Sequence, residues 1–127
     1  MEINLAFPAI NRPALVEKTL ISICKHLKGV DFEKSTIFVN VDPVPIIYGR
    51  EKVIEICKKY FGNIVFNMPN KPHISVAFKW LLKNASQKNN NIIFFCNDDW
   101  EFIKDIEINK VIKRLSKYNN INQISIN

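Results

Sequence analysis

Short apolar runs and longer amphipathic stretches alternate along this chain. Ile3-Asn4-Leu5-Ala6-Phe7 reads as a strand that Pro8 ends. Asn11 then caps a helix carrying Pro13 in its first turn, where a missing amide costs nothing. Leu15, Val16, Thr19, Leu20, Ile23 and Leu27 recur at helical spacing, a stripe that Gly29 closes. Thr36-Ile37-Phe38-Val39-Asn40-Val41 is a second strand, stopped by Asp42-Pro43, and Pro43-Val44-Pro45 forces a loop as far as Gly49. Glu51 to Phe61 predicts a helix with Val53, Ile54, Cys57, Tyr60 and Phe61 inward, broken by Gly62. Asn63 to Asn67 is a third strand and Met68 to Pro72 a loop. Ile74, Ala77, Phe78, Leu81, Leu82 and Ala85 mark the core stripe of a third helix. Gln87 to Asn91 is a polar turn before the Phe94-Phe95 strand. Ile108, Val111, Ile112 and Leu115 mark a last helix, and Gln123-Ile124-Ser125-Ile126 a last strand.

Strand and helix alternating in this way imply βαβ units. The fold class expected is α/β, a three-layer α/β/α arrangement with a mostly parallel sheet, in one domain over residues 1–127. Ligands of such sheets sit beyond the carboxyl ends of the strands. The strands end in Pro8-Ala9-Ile10-Asn11-Arg12, Asp42-Pro43, Asn67-Met68-Pro69-Asn70-Lys71 and Asn97-Asp98-Asp99. Polar chemistry collects on that rim, whereas the strand beginnings carry ordinary turn residues.

The sharpest feature is Asn91-Ile92-Ile93-Phe94-Phe95-Cys96-Asn97-Asp98-Asp99-Trp100. An apolar strand breaks into two adjacent carboxylates, which repel each other and need water or a cation close by. A divalent metal carrying phosphate oxygens is one reason to place them there. A solvated turn is the other.

Composition narrows the class. The hydrophobic fraction of 47% and charged fraction of 24% are those of a folded chain. The longest apolar runs are strand-length, so no transmembrane segment is expected, and Met1-Glu2-Ile3-Asn4 lacks the start of a signal peptide. Cys24, Cys57 and Cys96 lie within apolar patterns and read as reduced core residues, which fits a cytoplasmic setting. The net charge of +6 suits an anionic ligand. Its lysines scatter over helix faces without a basic block threaded by aromatics, so no nucleic acid is expected as partner. With three glycines in total there is no Gly-x-Gly-x-x-Gly and no P-loop, and no Gly-x-Ser-x-Gly elbow points to a hydrolase.

Four segments carry a resemblance. "FPAINRPALVEKTLISI", "STIFVNVDP", "NKPHISVAFKWLLKNA" and "NIIFFCNDDWEF" resemble, in order, successive parts of GT-A glycosyltransferases of the family 2 type. The last is closest to the Glu-Asp-Asp-Trp variant of their DxD metal motif. The resemblance runs over the whole chain and covers only the donor-binding half of such enzymes. It implies that Pro8, Ala9 and Asn11 shape the first loop around a nucleotide base, and that Asp42 hydrogen-bonds base or ribose. Arg12 and His73 join the nucleotide-sugar-binding set. Asp98 and Asp99 would serve a manganese or magnesium ion, with Asp99 the direct ligand. The partners implied are a nucleoside-diphosphate sugar, a UDP-sugar favoured, and an unidentified glycosyl acceptor.

The chain departs from that pattern at Asn97, where an acid is usual, and at His73, where glycine is common. The acceptor half that would supply a catalytic base has no counterpart, so self-association through the surface it would cover is expected. Plainer readings stand beside each residue: Asn11 as a helix cap, Arg12 as a surface cation, Asp42 as a turn former, His73 as a cap, and His26 at a helix end where it suits the dipole. Trp80 and Trp100 read as packing residues, and Phe38, Phe66, Phe94 and Phe95 as core. At the level of function the alternatives are a non-catalytic binding or assembly module retaining the fold, and a nucleotidyltransferase, whose glycine-rich basic first loop is missing.

Overall fold

The computed structural model describes residues 1–88 and 91–118. Its elements run β1 (Ile3–Ile10), α1 (Pro13–His26), β2 (Leu27–Lys28), β3 (Thr36–Asp42), α2 (Glu51–Tyr60), β4 (Asn63–Asn67), α3 (Ile74–Gln87), β5 (Ile92–Phe95), β6 (Ile106–Glu107) and α4 (Ile108–Lys117). The main sheet has the order β4-β3-β1-β5 and every pairing in it is parallel. This is the α/β architecture expected from the alternation. The strand expected at Gln123–Ile126 lies outside the described residues.

Side-chain alternation sorts the helices onto two faces. Ile3, Leu5, Phe7 and Ala9 of β1 join Ile37, Val39 and Val41 of β3 in a buried cluster with Val16, Leu20 and Ile23 of α1 and Val53, Ile54 and Cys57 of α2. The opposite face is smaller: Ala6 and Phe38 meet Leu81 and Ala85 of α3, with the Phe78 ring edge-on to Phe95 at 5.2 Å. Among the described residues α3 alone covers this face, whereas α1, α2 and the start of α4 pack on the other.

The structure corrects several boundaries. β1 does not end at Pro8 but continues to Ile10, pairing Pro8 with Asn40 of β3. Alternation sets Pro8 on the same side as Ala6, whose carbonyl accepts from the Cys96 amide at 3.1 Å, and β5 stops at Phe95. The proline's missing N–H therefore faces a position where no strand runs. Helix α1 ends at His26, and Leu27–Lys28 pair in parallel with Ile106–Glu107 before Gly29 turns the chain at φ +86°. That two-residue ladder has no sequence signal. Gly62 earns its place by close approach: a Cβ there would lie 1.7 Å from the Glu33 carbonyl oxygen. Three residues expected in the core are outside it: Phe66 (48% exposed), Ile74 (68%) and Leu82 (50%).

Candidate functional site

In the order β4-β3-β1-β5 the chain first builds outward from β1 on one side and then returns to its other side. The crevice between the carboxyl ends of β1 and β5 is the topological switch point, where α/β sheets bind ligands. Asp98 fills it. β1 outruns β5 by four residues, from Phe7 to Ile10, and the Ile10 amide donates to Asp98 Oδ2 at 2.9 Å. The carboxylate thus stands where a carbonyl of a longer β5 would have accepted. The Asp98 carbonyl in turn accepts from Thr19 Oγ1 of α1.

Burial is the main reason the Asp98 pKa is raised above its ordinary value. The Ile10 amide opposes the shift, Asp99 adds to it and the Arg12 guanidinium opposes it. Asp99 and Arg12 are both exposed at the rim. With Asp98 they make one half-buried carboxylate, one exposed carboxylate and one cation around a single backbone crevice. Cys96, just before them, is buried, and desolvation, helped by both aspartates, pushes its thiol up to about 12.

Asp42 lies on the other flank of β1, paired in register with Ile10. Strand spacing puts it about 10 Å from the switch-point carboxylate. Its Oδ1 accepts from Asn40 Nδ2 at 3.0 Å, and Asn40 Oδ1 accepts from Asn67 Nδ2 at 2.9 Å. This relay crosses from β4 to β3 and fixes the Asp42 carboxylate. Asn40 is buried, a polar residue on the face that also carries Phe38, and its place in "FVNVD" was the signal that could have revealed it.

Asn11 is not a helix cap. Arg12 occupies the cap position of α1 without a side-chain cap bond, while Asn11 Nδ2 donates to the carbonyls of Ile46 (3.1 Å) and Tyr48 (2.8 Å). From the other side Arg50 donates Nε to Ile47 (3.0 Å) and Nη1 to Val41 (2.8 Å) and Pro69 (2.7 Å). Arg50 is buried, and sequence reasoning missed it: a cation at the start of a helix ordinarily reads as solvated.

The predicted residues therefore divide. Asp98, Asp99, Arg12, Asn11 and Asp42 gather around the end of β1. Pro8 lies within the strand, on the face of Asn40, and Ala9 is buried against α1 and α2, so neither shapes a loop. His73 caps α3, its Nδ1 accepting from the Val76 amide at 3.2 Å. His26 has a partner after all, Asp105 Oδ1 at 2.9 Å, and that contact lowers the Asp105 pKa. With Thr19–Asp98 and Ser22 Oγ accepting from the Phe102 amide at 3.1 Å, it straps the segment after β5 along α1. An open groove of about 430 Å³ runs beside that strap, lined by Lys18, Lys25 and Glu101 among others, away from Asp42 and Asp98.

The donor set at the switch point is two adjacent carboxylates. No third His, Cys, Asp or Glu joins them among the described residues. Such a pair could hold a hard divalent cation only if other oxygen ligands or water completed its shell. No helix among the described residues is long and apolar enough to cross a membrane. No protein-family model, curated protein or solved structure matches this chain.

Proposed function

We propose that this chain binds a nucleoside-diphosphate sugar across the end of β1, with a divalent cation, as the donor site of a GT-A-like glycosyltransferase. The observation that carries the reading is Asp98 bridging the switch point, with Asp99 exposed beside it and Asp42 held on the opposite flank. Asp99 and the second oxygen of Asp98 would hold the cation, which would neutralise charge developing on the departing diphosphate. Arg12 and the N-terminal amides of α1, a helix with no acidic residue in its first turn, favour the same anion. Asp42, oriented by the Asn67–Asn40 relay, accepts from a ribose hydroxyl or a base N–H. Manganese or magnesium suits these oxygen ligands, and a uridine diphosphate is the first ligand to try.

The test is a calorimetric titration of uridine diphosphate, with and without manganese, on the native chain and on Asp99→Ala. Metal-dependent binding that is lost in Asp99→Ala supports the donor site. No binding by the folded native chain would sink it. A second reading, a binding module that keeps the fold without catalysis, draws on the pairing of only two carboxylates at the switch point among the described residues. Nucleotide binding without glycosyl transfer would favour it.

A further inference from the structure

The loop between β3 and α2 is held more firmly than a surface connection needs. The Val44 carbonyl accepts from the Asn11 amide at 2.7 Å, those of Ile46 and Tyr48 from Asn11 Nδ2, and that of Ile47 from Arg50 Nε. Asn11 and Arg50 are only 9% and 6% exposed, so two buried polar side chains fix the loop from opposite sides. Gly49, at φ +82°, then turns the chain into α2.

This fixed backbone holds up an aromatic ring that does nothing for the core. Tyr48 is 82% exposed. Its carbonyl bonds Asn11, the residue after Ile10, whose amide meets Asp98. The same loop begins at Asp42, whose carbonyl accepts from the Val44 amide at 2.9 Å. Tyr48 therefore belongs to the rim that carries both carboxylates. A flat side chain with few rotatable bonds, on a backbone that need not be ordered on binding, is suited to receiving another flat group.

We propose that Tyr48 is the face on which the ligand's nucleobase stacks. The inference rests on the nucleotide-binding reading above and adds what recognises the base. Stacking accepts any base, because every base has a π-face, and it leaves discrimination to the hydrogen bonds of Asp42.

Uridine diphosphate and inorganic diphosphate, each with manganese, would be titrated into the native chain, Tyr48→Ala and Tyr48→Phe. Tyr48→Ala is expected to weaken uridine diphosphate by about 10-fold or more, with inorganic diphosphate unchanged and the melting temperature kept. Tyr48→Phe should bind as the native chain does. Unchanged nucleotide affinity in Tyr48→Ala, or equal loss of both ligands, overturns the stacking role alone. A folded native chain that binds neither ligand overturns the underlying reading with it.

Discussion

Asp98 is the residue on which most of the site's behaviour turns. Its carboxylate occupies a strand position, so its loss is felt in the backbone: Asp98→Ala leaves the Ile10 amide without its acceptor and should cost about 1–3 kcal/mol in denaturant unfolding. Asp98→Asn keeps an oxygen for that amide and removes the charge. The pH dependence follows from the raised folded pKa. The neutral form is favoured on folding, so this contribution is fully present below the ordinary Asp value and lost as pH rises through the raised folded one. Thermal melts at stepped pH should show the native chain losing ground to Asp98→Asn across that window. Parallel curves would remove the burial argument. The cysteines make a second case. Desolvation pushes Cys24 up to about 11 and Cys57 and Cys96 up to about 12. Alkylation followed by mass spectrometry near neutral pH should leave all of them unmodified until the protein is denatured.

Of the helices α1, α2 and α3, α3 is the least securely held: only Ala77, Leu81 and Ala85 of its residues are buried, against five in α1 and four in α2. Leu81→Ala should cost about 2–5 kcal/mol and release α3 from the Phe38 face. Hydrogen exchange confined to residues 74–87 would report that release, and uniform exchange over the chain would argue for global destabilisation instead. At the corner before β4 the limit is space. Gly62→Ala drives a methyl into the Glu33 carbonyl and should destabilise by about 1–3 kcal/mol or more, although Gly62 has no left-handed backbone to explain it. The strap after β5 is held by hydrogen bonds to Thr19, Ser22 and His26, so Ser22→Ala should speed exchange of the Phe102 amide while leaving β1 protected.

At the scale of the molecule, the two faces and the two edges of the sheet are unequal. β5 pairs with β1 on one side and, among the described residues, with no strand on the other. Ile93 on that edge and Ile74 and Leu82 on α3 are exposed. An apolar strand edge is a template for pairing with another chain, and self-association, if it occurs, would use this edge. Sedimentation over rising concentration should show increasing mass, and Ile93→Lys should restore the monomer. One monomeric species throughout would end that expectation.

The alternation of apolar runs and amphipathic stripes, read from neighbours a few positions apart, determined the order of the main-sheet strands and the helices, the α/β class and the rim where Asp42, Asp98 and Asp99 collect. Such periodicity is a local property, set by which side chains share a face of one element. Tertiary structure alone decided what those residues do to one another. Ile10 meets Asp98 across 88 positions, Asn11 holds a loop rather than a helix, Arg50 is buried, and β1 runs through Pro8 because β5 has already ended. Each of these depends on which strands become neighbours, and a buried amide or guanidinium takes whichever acceptor that neighbourhood supplies.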